Sequence, residues 1–318
     1  MHEARGDLRR KRFYGEFRKA LSKVFSKEMP GFLFLSGKLK FGLTGINGGV
    51  YSKPEAMTQI AEAAESSGFD SVWAGGHPFL SEKQNRMPPS LTMLDPIVAL
   101  SFVAAKTRTI RLGTGIVLLP QFNPMILAKE IASLDVLSGG RLIFGIGVGW
   151  SEHEYELLGL SYRDRGKRAD DYLKAMKVLW TEDKPVYRGK FVSFDSIQAH
   201  PHPVQKPYPP IVVGGNSPAI FRRAVEQGNG WFGYGMDLEQ AHQAISALRE
   251  AQKKYNRPSD LGELEISVAP RVPLDKSSAR KFSGLGVNRL VLIPPPNTDP
   301  NSLIGFIENA GKNLVGQI

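Results

Sequence analysis

From Lys40 onward, short apolar and β-branched runs alternate with longer stretches in which apolar residues recur every three or four positions. The short runs read as strands: "LKFGLTG" (39–45), "DSVWAGG" (70–76), "IRLGTGIVLLP" (110–120), "LIFGIGV" (142–148), "PIVVGG" (210–215), "GWFGYG" (230–235), "EISVAPRV" (265–272) and "RLVLIPP" (289–295). The stretches between them carry helix signals. "PEAMTQIAEAAESSGF" places Met57, Ile60, Ala61 and Ala64 on one face and stops at Gly68. "NPMILAKEIASLDVLSGG" has Asn123 as cap, Pro124 in the first turn and Gly139 at its end, and "SPAIFRRAVEQG" repeats the design with Ser217 and Pro218. "DLEQAHQAISALREAQKKY" aligns Leu238, Ala241, Ile245 and Leu248; the last helix, "SLIGFIENAGKNLV", buries Leu303, Phe306, Ile307 and Leu314.

Eight strand-plus-helix units predict an α/β fold, a (β/α)8 TIM barrel, with a doubly wound sheet as the alternative. The barrel domain spans 39–318, and a basic helical or disordered extension covers 1–38. The extra length lies in two insertions, 78–96 after the second strand and 181–209 after the fourth, both expected near the mouth of the barrel; the latter holds a short pair of strands.

Charge changes the picture only at one end. The chain of 318 residues has a net charge of +10, but residues 1–40 hold 11 Lys/Arg against 4 Asp/Glu, leaving the rest nearly balanced. No basic stripe interleaved with aromatics runs through the main body, so nucleic acid is not an expected partner. In the extension Phe13, Phe17, Leu21 and Phe25 fall at helical spacing, giving a basic amphipathic helix, an appendage, or a segment upstream of an alternative start at Met29. The Arg9–Arg10 pair has the form of an export signal, yet "GFLFLSG" is at the short limit of an apolar core, so a cytoplasmic location is expected. No apolar run approaches the roughly 18 residues of a membrane span. The absence of cysteine excludes disulfides and thiolate metal sites, and the scattered His153, His200, His202 and His242 carry no metal signature.

"GRLIFGIGVGWSEHE" (140–154) invites a dinucleotide-binding reading, which fails because Trp150 stands where the third glycine must pack a helix closely on a strand. In a barrel the C-terminal strand ends form the functional face. Gly75, Gly76, Gly113, Gly115, Gly147, Gly149, Gly214, Gly215, Gly233 and Gly235 collect there, and are read as admitting a flat ligand onto the backbone. His77 follows the second strand directly; histidine titrates near neutrality and can hold the proton released when a hydride departs from a carbon bearing O–H or N–H. A capping or loop-packing role is its alternative.

The blocks "GFDSVWAGGH" (68–77), "TIRLGTGIVLLP" (109–120), "NPMILAKEIASLDVLSGGRLIFGIGVGW" (123–150), "RGKRADDYLKAMKVLW" (165–180) and "HPVQKPYPPIVVGGNSP" (202–218) resemble the bacterial luciferase-like family of flavin- and deazaflavin-dependent oxidoreductases, most of all its coenzyme F420-dependent members. The resemblance implies a (β/α)8 barrel and a cis peptide at Gly115–Ile116 that props the cofactor ring. It also implies Val148 and Gly149 beside the ring, and a cofactor phosphate on the backbone of Gly214, Gly215, Asn216 and Ser217. A site role for His77 follows from it too.

Two positions depart from the family pattern. Gly76 stands where relatives carry an aspartate, so an acid able to orient His77 is expected to be missing. Trp150 stands where sugar-phosphate-oxidising members have a glutamate, which sets that substrate class aside and makes Trp150 the wall of an apolar pocket. Arg165 and Arg168 with Asp170 and Asp171 read as an ion-pair set on one helix. The expected function is hydride transfer between F420 and a small organic substrate. The alternatives are an FMN-dependent monooxygenase served by a partner flavin reductase, and a non-catalytic flavin- or deazaflavin-binding protein. A homodimer is compatible with either enzyme.

Overall fold

The computed structural model describes residues 38–295 and 298–318. The basic extension, with its expected amphipathic helix and alternative start, lies outside the described residues. The expected strands are β1 (Lys40–Thr44), β2 (Ser71–Ala74), β3 (Arg111–Thr114), β4 (Val117–Leu118) and β5 (Leu142–Gly147), then β8 (Ile211–Gly214), β9 (Gly230–Met236), β10 (Glu265–Pro270) and β11 (Arg289–Leu292); β6 (Tyr187–Arg188) and β7 (Ser193–Phe194) form a separate antiparallel hairpin. All barrel pairings are parallel. The order β3-β2-β1-β11-β10-β9-β8-β5-β4 closes on itself through β3 against β5, so the sheet is an eight-position barrel and not a doubly wound one. The expected third strand is broken into β3 and β4 at Gly115–Ile116, which are joined by a cis peptide bond.

Helices return the chain between parallel strands, as they must: α1 (Pro54–Ser66), α2 (Pro96–Lys106), α3 (Pro124–Leu137), the short α4 (Glu152–Leu157), α5 (Arg165–Thr181), α6 (Pro218–Gln227), α7 (Leu238–Lys254), α8 (Lys276–Gly284) and α9 (Pro300–Asn313). Asn123 caps α3 by accepting from Met125 and Ile126 N–H, and Asp95 caps α2 in the same way. Ser217 departs from this design: its side chain makes no cap hydrogen bond, although Pro218 opens α6 as expected. On α9, Leu303 and Ile307 are buried and Phe306 is half-buried.

Two cores result. One lies between strands and helices, holding Phe41, Ile60, Leu100, Leu127, Leu173 and Leu248 among others. The second fills the barrel with Trp73, Ile143, Val212, Phe232, Ala269 and Val291, and Ile116 packs on it. Trp73 and Phe232 stack at 5.3 Å and 14°, forming the floor under the mouth. Truncation of either ring would cost about 3–5 kcal/mol, the usual penalty for a fully buried aromatic.

The insertion after β2 starts and ends at the mouth, where Asn47 ties it to the strand end: its Nδ2 donates to Gly75 O at 2.8 Å and Leu94 O at 2.6 Å. The second insertion does not lie there. It joins the end of α5 to the start of β8, and so leads back to the opposite end of the barrel; its hairpin folds against the outer side of α5, with Tyr187 Oη and Phe191 N donating to Asp171. The ion-pair set also differs from expectation. Asp170 pairs with Arg222 and Arg223 of α6, whereas Arg165 lies over Tyr162 and Arg168 over Phe191. The charges therefore fasten neighbouring elements to one another, since same-helix pairs contribute little beside a partly buried pair between helices. Among the described residues no helix is long and apolar enough to cross a membrane, and no group of His, Asp and Glu could hold a metal ion.

Candidate active site

The bulge at Gly115–Ile116 is built by its neighbours. A Cβ at Gly145 would lie 1.8 Å from Thr114 O, and one at Gly75 would lie 2.2 Å from Gly115 O. Thr114 Oγ1 takes over the local ladder, donating to Gly145 O and accepting from Gly145 N, both at 2.7 Å. The side chain of Ile116 occupies the room left at two further glycines: added Cβ atoms would lie 1.9 Å from it at Gly147 and 2.8 Å from it at Gly214. At Gly75, Gly147 and Gly214, read above as admitting a flat ligand, and at Gly145 beside them, the missing side chain makes room for protein atoms of the bulge. Gly149 (φ +70°) and Gly215 (φ +124°) are different, because their backbone conformations disfavour any other residue.

His77 extends from the end of β2 with its side chain 11% exposed, and its Nδ1 lies 2.7 Å from Glu154 Oε1. Glu154 is fully buried on α4, and its second oxygen accepts from Gln121 Nε2 at 3.1 Å. The acid that position 76 lacks is thus supplied from α4, the short helix after β5. A carboxylate only accepts, so Nδ1–H donates, and in the neutral imidazole Nε2 is then the acceptor; Nε2 has no protein partner among the described residues.

The short helix α4 anchors the whole corner. Tyr155 Oη donates to Val148 O at 2.6 Å, and burial pushes its phenol pKa upward, keeping it a neutral donor. His153 Nδ1 meets Ser81 Oγ at 2.6 Å, tying the insertion after β2 to α4. Trp150 stands edge-on to His77 with ring centroids 5.2 Å apart, and the Arg86 guanidinium lies over the same indole at 4.5 Å.

Across the mouth, Gly215, Asn216 and Ser217 lead into α6 and are exposed. Pro218 has no N–H, and Ile220 and Phe221 N–H donate to Ser217 O, so the donors left at this uncapped helix start are the N–H groups of Asn216, Ser217 and Ala219, reinforced by the helix dipole. A cleft of about 480 Å³ adjoins it, lined by Asn216, Tyr234, Gly235, Met236, Gln240 and Arg271. The residues present fit a flavin-type cofactor: an uncapped helix start and Arg271 suit a phosphate. Gln121 also has a buried Oε1 without a protein partner, an acceptor able to meet a ring N–H.

All the expected site residues lie on this one face. The sequence reading missed Glu154, Gln121, Tyr155 and Arg86. For Glu154 a misleading signal existed: Ser151-x-x-Glu154 matches a helix capping box, which gives the glutamate a purely local role. Ser151 Oγ does accept from Glu154 N, at 3.4 Å, while the carboxylate turns away to His77.

Residues 34–281 match the family model described as luciferase-like monooxygenase. The flavin-dependent trigonelline monooxygenase, oxygenase component, of Acinetobacter baylyi is 32% identical over 176 residues, covering 55% of this chain and 46% of that protein. The F420-dependent glucose-6-phosphate dehydrogenase of Kineococcus radiotolerans is 30% identical over 235 residues, 71% of this chain and 66% of that one. In fold, an F420-dependent secondary alcohol dehydrogenase superposes with a TM-score of 0.70 at 17% identity, over 87% of this chain and 98% of that one. With the barrel closed in the same way and the family model spanning most of the chain, this protein belongs to the luciferase-like monooxygenase family of flavin- and F420-dependent oxidoreductases.

Proposed function

We propose that the chain transfers a hydride between coenzyme F420 and a small organic substrate, with His77 as the group that holds the accompanying proton. When bound, the deazaflavin supplies a hydride acceptor or donor. The observation that carries this reading is the His77–Glu154 pair at the mouth, 2.7 Å apart, with Nε2 open. A carbon bearing O–H can release hydride only if its proton has a destination. Nε2 offers one, and the buried carboxylate stabilises the imidazolium that results. The backbone N–H groups of Asn216 and Ser217 and the Arg271 guanidinium would hold the cofactor phosphate, while Ile116, Val148 and Gly149 would bound the ring. The F420-dependent relative supports this cofactor; the trigonelline monooxygenase keeps FMN with a partner reductase as the competing reading.

The proton role has a direct test. With an alcohol found by screening for loss of F420 absorbance, His77→Ala should keep cofactor affinity within a few-fold and lose on the order of 10²–10⁴ in turnover. Unchanged turnover would remove His77 from the chemistry.

A further inference from the structure

Arg86 is the one observation at the mouth that the hydride reading does not use. It lies in the insertion after β2, and its guanidinium rests on the face of Trp150 at 4.5 Å while His77 meets the same indole at 5.2 Å. The loop around it is pinned in place. Gln84 Oε1 accepts from Arg86 N and Met87 N, Gln84 Nε2 donates to Met87 O, and Ser81 is held by His153. Among the described residues the guanidinium meets no carboxylate, so its N–H donors remain uncommitted. Trp150 is therefore more than an apolar wall: it carries a permanent cation beside the histidine.

We infer that Arg86 binds a carboxylate group of the substrate, and that the substrate class is a small organic acid carrying the reacting carbon near its acid group. The inference rests on the hydride-transfer reading, because it gives Arg86 the task of holding a substrate whose proton goes to His77. A flat guanidinium fork matches a carboxylate through two parallel N–H···O bonds. Stacking on an aromatic face orients the fork and leaves its edge free. Among the described residues no second cation stacks on Trp150 with Arg86, which favours a monoanion over a doubly charged phosphate. The contact also keeps substrate charge at the β2 side of the mouth, away from the anion site at the start of α6.

The test is calorimetric titration of the full chain, saturated with F420, with benzoate, its neutral isostere benzamide, and phenyl phosphate. Wild type should prefer benzoate over benzamide by at least about tenfold, the usual worth of a charge-assisted pair. Arg86→Met should abolish the preference, and Arg86→Lys should retain only part of it. Matching thermal melts would establish that the variants are folded. Equal binding of benzoate and benzamide, no detectable benzoate binding, a preference that survives Arg86→Met, or stronger binding of phenyl phosphate would each overturn the inference. F420 titration without any probe reports separately on the underlying reading. If F420 binds and the carboxylate preference is absent, the Arg86 inference alone falls. If F420 fails to bind while an Arg86-dependent preference persists in the free protein, the carboxylate site stands and the cofactor reading falls.

Discussion

A carboxylate 2.7 Å from an imidazole Nδ1 fixes the ring's tautomer and its orientation together. Glu154 is therefore a positioning residue for His77, held in a fully buried setting. Glu154→Gln should keep the fold and F420 affinity but lower turnover by about 10–100-fold, as loss of an orienting partner commonly does. The loss should fall on kcat with KM little changed, a split that a merely structural glutamate would not produce; kcat equal to wild type would reject the role. At this scale the sequence was half legible. His77 declares itself by following β2 directly, whereas Glu154 is one of three glutamates in "SEHEYE" and reaches His77 from 77 residues away. The local pattern that sets it apart from the exposed Glu152 and Glu156, the capping box with Ser151, points to the helix start and not to His77.

At the scale of elements, the broken third strand sets the shape of the mouth, and the glycines of the neighbouring strands are close-packing positions against it. Gly145→Ala would drive a Cβ to 1.8 Å from Thr114 O, a backbone atom that cannot step aside. Gly139, at the end of α3, meets nothing within 4 Å but has φ +67°. Chemical denaturation should thus separate two alanines: about 1 kcal/mol lost at Gly139, from backbone conformation alone, and about 3 kcal/mol or more at Gly145, the upper end for overpacking. Equal losses would contradict the packing account. The sequence showed that the glycines cluster at strand ends but not what fills their space, because Ile116 comes from a different strand than Gly147 and Gly214. Another joint fastens α1 to the start of β3. Burial raises the pKa of Glu65, but hydrogen bonds from the backbone N–H groups of Thr109, Ile110 and Arg108 outweigh it and bring the value from 4.5 to about 2. A depressed folded-state pKa contributes stability above the unfolded value and loses it as pH falls through the folded one. Glu65→Gln should cost about 1 kcal/mol near neutrality, a value discounted for partial exposure. The gap to wild type should narrow as pH falls from 4.5 toward 2; a gap that stays constant would show that the charge is not what matters.

For the whole molecule, closure of the barrel gathers residues from distant parts of the chain onto one face. Strand and helix periodicity made the elements readable, since each pattern is local; the pairing of β3 with β5 then decided for the closed barrel over the doubly wound sheet. The path of the second insertion was not readable, because which face of α5 receives Phe191 depends on Asp171 and Arg168 meeting it across the fold. The face so assembled has an oriented histidine with a buried carboxylate on one side and an uncapped helix start beside Arg271 on the other. The central claim is that this face binds a deazaflavin. Its most direct test is parallel anaerobic titration of the cofactor-free protein with F420 and with FMN, followed by fluorescence. The account predicts saturable binding of F420 at least about tenfold tighter than FMN, a difference of roughly 1.4 kcal/mol; tighter binding of FMN, or binding of neither, would contradict it.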